Sequence, residues 1–278
     1  MSSHATGYFK GFDGVKLFKQ NWTNPTSKAT LVFVHGYTEH SSRYTEFAEF
    51  LNNQQIDLYT FDQRGYGKSE GQRAYVDRFD HYLKDLDIFL KEQAPANKPI
   101  FLMGHSMGGL IVVKYGMDYS HNLSGIISSA AALQISEDIS PILQKISGFL
   151  SIVVPKLKTI KLDTTHLSRD PAEVKKYNED ELIYHEGTYA RTGAEILKAT
   201  KETAIRFNKF SEPILILHGL ADKITDAKGS QLLYDQCSSS DKNYIPYKES
   251  YHELLFEPEK KQVMGDIAKW MKERVSQS

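Results

Sequence analysis

The stretch Ile100-Phe-Leu-Met-Gly104-His-Ser106-Met-Gly108-Gly109-Leu110-Ile-Val-Val-Lys-Tyr-Gly116 sets the expected fold of this chain of 278 residues. Its first four residues are apolar and read as a strand. Residues 104, 106 and 108 fit the pattern Gly-x-Ser-x-Gly. The run from Leu110 onward reads as a helix. Strand, tight turn and helix together are the setting of a nucleophile elbow. Glycines flank the serine because a Cβ there would clash with the neighbouring strand and helix. Such a turn thrusts the Ser106 hydroxyl out of the sheet, and the helix start offers backbone N–H groups to a developing oxyanion. The plainer reading is a glycine-rich turn with an incidental serine.

On either side of this stretch, short apolar runs alternate with longer helical ones. Leu31–Val34, Leu58–Phe61, Ile126–Ser129 and Ile214–Leu217 read as further strands, with a weaker last one at Tyr244–Tyr247. Tyr44–Asn52, Val76–Glu92, Leu110–Tyr119 and about Pro258–Val275 read as helices. Continuous apolar strands between helices predict an α/β fold: a mostly parallel central sheet flanked by helices. The alternation stops from about Gln134 to Asn208. An insert there, between the strands at Ile126 and Ile214, reads as a helical cap over a pocket within a single domain spanning 1–278.

Composition narrows the class. One cysteine excludes an internal disulfide and a cysteine-rich zinc site. Lys and Arg number 34 against 35 Asp and Glu, so there is no basic field for nucleic acid. Charged residues at 25% and hydrophobic ones at 40% suit a folded protein. The first residues lack a signal-peptide pattern, and no run approaches the roughly 20 apolar residues of a membrane span. Neither end carries a lipidation motif. The expected location is intracellular, in the cytoplasm.

A serine nucleophile needs a base, and the base needs an orienting acid. In this class of fold they follow in the order Ser, Asp or Glu, His. His252 lies downstream of the last strand, in Glu249-Ser-Tyr-His252-Glu, where the base is delivered. His35, His105 and His218 sit beside glycines at strand ends and read as loop-shaping. Asp222, just past the strand at Ile214–Leu217, is the candidate acid; its alternative role is a helix N-cap. The oxyanion donors are expected to be the backbone N–H groups of Met107, after the serine, and of Tyr37, in the loop after Leu31–Val34.

With these residues in view, the chain resembles the monoacylglycerol lipase group of α/β-hydrolases over about Phe12 to Val275. The motifs that carry the resemblance are Phe33-Val-His-Gly-Tyr-Thr-Glu-His-Ser-Ser-Arg-Tyr44, Asp62-Gln-Arg-Gly-Tyr-Gly-Lys-Ser-Glu-Gly71, Gly104–Gly109, His218-Gly-Leu-Ala-Asp222, Tyr251-His252 and the cap segment Leu167–Asn178. The resemblance implies cleavage of monoacylglycerols to fatty acid and glycerol with no metal or organic cofactor. It implies contacts to the glycerol hydroxyls from Glu39 and Arg43, with Tyr177 in the cap near a glycerol exit. Glu39 and Arg43 are equally readable as an exposed i, i+4 ion pair. The human member of the group has a second histidine shortly after the catalytic one; here Leu254 and Leu255 stand in that region. Cys237, in a Cys-Ser-Ser-Ser stretch, reads as surface.

Within the insert, Ile142, Leu143, Ile146, Phe149, Leu150 and Val153 repeat near helical spacing, and Lys156, Lys158 and Lys161 come after them. Such a helix can rest on a membrane or lipid-droplet surface, cover an acyl tunnel, or pack as an ordinary cap. Oligomeric state is not encoded in any pattern found. The alternatives in function are a lysophospholipase, a broader carboxylesterase or acyltransferase of the same fold, and a non-catalytic ligand-binding member.

Overall fold

The computed structural model describes residues 3–95, 97–119, 122–134 and 150–276. Its strands are β1 (Ser3–Lys10), β2 (Lys16–Thr23), β3 (Ala29–Val34), β4 (Ile56–Phe61), β5 (Ile100–His105), β6 (Gly125–Ser129), β7 (Ile214–Gly219) and β8 (Lys242–Tyr247). They form one sheet in the order β1-β2-β4-β3-β5-β6-β7-β8. From β4 to β8 every pairing is parallel, while β1–β2 and β2–β4 are antiparallel.

Strands buried on both faces read as unbroken apolar runs, because successive side chains point to opposite sides. In β3, Val32 and Val34 enter one core, and Leu31 and Phe33 the other. In β7 the same division separates Ile214 and Ile216 from Leu215 and Leu217. The first core is closed by helices α2 (Asp80–Glu92) and α3 (Met107–Asp118), the second by α1 (Thr45–Asn53) and the last helix, α7 (Lys260–Val275). Val263, Met264, Ile267, Ala268, Trp270 and Met271 form the buried stripe of α7. Pro258 lies just ahead of that helix rather than in its first turn, and α2 begins at Asp80, not Val76.

The β1–β2 hairpin adds two strands to those expected. Its first strand is mostly exposed, with Phe9 its one buried residue, so it lacks the apolar run that marks the inner strands. β8 is the opposite edge, which suits Pro246: an edge strand tolerates a missing donor.

Between the neighbouring strands β6 and β7 the chain leaves the sheet. Among the described residues it carries helices α4 (Pro171–Glu179) and α5 (Ala190–Ala204) and a helical stretch at 150–153. The expected apolar positions Ile142, Leu143, Ile146 and Phe149 fall outside the described residues. Helix α6 (Ala227–Gln236) comes after β7. At its end Cys237 is buried in the first core, with Sγ 3.7 Å from the Tyr234 carbonyl oxygen. This corrects the surface expectation. The serines after Cys237 mark the turn that tucks beneath Phe210, where the Ser238 N–H bonds the Phe210 carbonyl.

Sheet order decides where function collects. From β3 the chain turns to β4 on one side, then returns to place β5 on the other. The carboxyl ends of β3 and β5 therefore flank the point where strand order reverses, which is where open α/β sheets bind their ligands.

Candidate active site

Ser106 stands at that point, with φ 55° and ψ −117°, a conformation that costs a non-glycine residue. The surrounding glycines make it possible. A Cβ on Gly104 would lie 2.1 Å from the Gly108 carbonyl oxygen, and one on Gly108 would lie 2.2 Å from that of Val34. Ser106 is the N-cap of α3, but its side chain makes no capping bond. It is partly exposed, unlike its buried neighbours.

The loop after β3 comes close to this elbow. A Cβ on Gly36 would sit 3.2 Å from Ser106 Cβ. Tyr37 is next, then Thr38 at φ 72°. Neither the Tyr37 N–H nor the Met107 N–H donates to an acceptor among the described residues. Glu39 pins the loop: its Oε1 accepts the Gly36 N–H at 2.6 Å and the Tyr44 hydroxyl at 2.8 Å.

Asp222 and His252 meet from the loops after β7 and β8. His252 Nδ1 lies 2.7 Å from Asp222 Oδ2. The other oxygen, Oδ1, accepts the N–H groups of Ile224 at 2.7 Å and Thr225 at 3.1 Å. Helix α6 is capped by Asp226, so the N-cap alternative for Asp222 does not hold. Burial alone would raise the Asp222 pKa, but His252 and His218 together hold it far below the ordinary carboxylate range. Burial likewise disfavours charge on His252; the Asp222 carboxylate, with Glu253 and Glu39 further off, outweighs it and raises the histidine above its usual value. The Ser106 hydroxyl makes no hydrogen bond to His252. The two are linked through His105, the residue before the serine, whose ring centroid is 4.8 Å from that of His252. Burial, then the neighbouring His252, pushes His105 down to about 3, so it stays neutral beside that ring.

Glu39 and Arg43 do not form an exposed pair. Arg43 lies between Glu39 and Glu253, with Nη1 2.8 Å from Glu39 Oε2 and 2.6 Å from Glu253 Oε1. Its Nη2 reaches Glu253 Oε2 at 2.8 Å. The rings of Tyr177 and Phe256 lie 4.7 and 4.2 Å from the guanidinium. All three charged side chains are at most 7% exposed. Burial would discharge Arg43; the two carboxylates keep it firmly protonated. The i, i+4 spacing suggests a surface pair because the third member, Glu253, is 210 residues away. Only its adjacency to His252 marks it in the sequence. Tyr177 reaches the loop after β3, its hydroxyl paired with Thr38 Oγ1.

Known proteins share this arrangement of chain. The family model described as serine aminopeptidase, S33, matches residues 25–259. A monoacylglycerol lipase of Mycolicibacterium smegmatis is 30% identical over 273 residues, covering 97% of this chain and 98% of that protein. A monoglyceride lipase of Rattus norvegicus is 33% identical over 270 residues, covering 95% and 89%. Among solved structures, a soluble variant of the Saccharomyces cerevisiae monoglyceride lipase, in complex with a substrate analogue, superposes with a TM-score of 0.86. It is 25% identical and covers 96% of this chain and 94% of that one.

Proposed function

The chain belongs to the monoacylglycerol lipase family of α/β-hydrolases, which are carboxylic ester hydrolases, and we propose that it cleaves monoacylglycerols to fatty acid and glycerol. The observation that carries this reading is the buried Asp222–His252 pair brought beside a strained serine elbow, in a chain similar to lipases over nearly its whole length.

In this mechanism Ser106 Oγ attacks the ester carbonyl carbon while His252 takes its proton through Nε2. Asp222 holds the tautomer with hydrogen on Nδ1 and stabilises the imidazolium without itself being protonated. The N–H groups of Tyr37 and Met107 bind the tetrahedral oxyanion. Collapse breaks the bond to the glycerol oxygen, which takes the proton from His252. Water then gives a proton to His252 and attacks the acyl-enzyme; the fatty acid departs and Ser106 recovers its proton. The neutral His105 adds no positive charge beside the imidazolium. The Ser–His hydrogen bond is often long before substrate binds and tightens in the complex.

The polar cluster of Glu39, Arg43 and Tyr177 beside His252 is where the glycerol end is accommodated. Residues of about 134–208 act as the cap. Its stretch at 152–160 exposes Ile152, Val153, Val154, Leu157 and Ile160, with Lys156, Lys158 and Lys161 among or just after them, which supports peripheral contact with a lipid surface. No helix among the described residues is long and apolar enough to cross a membrane.

The test is a substrate panel. Purified protein is assayed on monoacylglycerols of varied chain length, diacylglycerol, lysophosphatidylcholine and an aminoacyl arylamide, with Ser106→Ala as control. Turnover should be fastest on monoacylglycerol and drop by at least about 1,000-fold in the variant. Preference for the phospholipid or the amide would reassign the substrate.

A further inference from the structure

A second histidine stands on Asp222. His218 lies near the end of β7 and is fully buried. Its Nε2 is 3.3 Å from the Thr225 carbonyl oxygen, 3.4 Å from Thr225 Oγ1 and 3.2 Å from Asp222 Oδ2. A carbonyl and a carboxylate oxygen can only accept, so Nε2 carries hydrogen. Its N–H is bonded to the Thr225 carbonyl, and the same positive edge faces Oδ2. On the other side of the ring, Nδ1 is 2.7 Å from the hydroxyl of Ser230, a buried residue of α6 able to donate to it. The Ser230 hydroxyl thus satisfies Nδ1 in the tautomer that presents hydrogen to the 222–225 turn.

That turn is what holds the acid. Thr225 supplies its N–H to Oδ1 at 3.1 Å and its hydroxyl to Oδ2 at 2.9 Å. The hydroxyl has one proton and a second acceptor, the Ala130 carbonyl at 3.0 Å. It cannot satisfy Oδ2 continuously. His252 thus bonds Oδ2, and the N–H edge of His218 faces the same oxygen at 3.2 Å.

We propose that His218 is a positioning residue, which fixes the Asp222 turn and lowers the basicity of Oδ2 toward His252. The proposal rests on the reading of Ser106, His252 and Asp222 as a triad. The physical basis is electrostatic. The positive N–H edge of His218 beside Oδ2 offsets part of that oxygen's charge toward His252, so loss of His218 strengthens the hold of Asp222 on the imidazolium. The His252 pKa then rises. Because His252 must be neutral to take the Ser106 proton, the acid limb of kcat/KM moves to higher pH. The other groups facing His252 are His105, Glu253 and Glu39, with Arg43 between the two carboxylates; the substitution leaves all of them in place.

The experiment is the pH profile of kcat/KM on a short activated ester for the full chain and for H218L, H218Q and H218F, with folding followed by circular dichroism. In H218L the acid limb should rise by about half a unit or more, with kcat reduced about 10-fold. H218Q keeps an N–H near the position of Nε2 and should return the limb toward that of the parent. A folded H218L with an unmoved limb overturns the proposal, as does a folded H218Q that matches H218L. If H218L does not fold, H218F decides, because it keeps a ring in place of the imidazole without its N–H: a raised limb supports the proposal and an unmoved one overturns it. Full turnover by Ser106→Ala would instead overturn the triad reading, and with it the role given to His218.

Discussion

Two stretches of the inserted segment are held in different ways. Residues 164–185 are bolted to the loop that holds His252 and to the loop after β3. The Leu167 carbonyl accepts the Glu253 N–H at 2.8 Å, next to His252. Ser168 donates to the Phe256 carbonyl at 2.9 Å. Arg169 bonds Glu257 at 2.6 Å and reaches Glu249 and Glu259. Asp180 pairs with His40 at 2.9 Å, and the Tyr184 N–H bonds the Thr38 carbonyl at 2.9 Å. Residues 150–160 bond instead to residues 188–191 of the same insert, through backbone groups of Pro155, Leu157, Thr159 and Ile160. Their apolar side chains face water: Ile152 is 76% and Val153 58% exposed. In the proposed mechanism the stretch near His252 needs fixed geometry, because a displacement of about 1 Å can cost roughly 100-fold in rate. The outer stretch makes no such contact with the His252 loop, and its exposed apolar surface is the one the proposed lipid contact would use.

The contrast can be tested from either side, and the bolted stretch should respond most. Arg169→Ala leaves the fully buried Glu257 carboxylate without its cation, so the protein should lose about 1–3 kcal/mol of stability. Because the same bond anchors the His252 loop, kcat should fall while KM changes little. Denaturant unfolding and steady-state kinetics on one preparation would check both. Unchanged stability and kcat would show that the bolts do not hold. At the outer stretch, the double variant Ile152→Ser, Val153→Ser should change stability by less than about 0.5 kcal/mol. It should leave turnover of a dispersed short-chain ester intact and weaken co-sedimentation with phosphatidylcholine vesicles. Equal vesicle binding by variant and parent would remove the lipid-contact role from this stretch.

Legibility in the sequence tracks the physical strength of each signal. Inner strands such as Leu31–Val34 and Ile214–Leu217 announce themselves, because burial on both faces demands an unbroken apolar run. Asp222 and His252 are picked out by chain order together with their places just past candidate strands, and they meet at 2.7 Å. Strand β1 is not legible, because an edge strand has little apolar surface to bury, and in β2 the polar run Lys19-Gln20-Asn21 interrupts the apolar pattern. Nor is the burial of Arg43: its principal partner, Glu253, is distant in sequence, and a local i, i+4 spacing points outward by default. His218 reads as a loop-shaping residue. Its contact with Asp222 is local, but nothing in the spacing says which way a ring at a strand end will face.

That Ser106 is the nucleophile, activated by His252 and Asp222, is tested most directly by covalent labelling with a fluorophosphonate followed by peptide mass analysis. One adduct is expected, on the peptide carrying Ser106, absent in Ser106→Ala and formed far more slowly in His252→Ala. An adduct on another residue, or none on a folded active protein, would contradict this assignment.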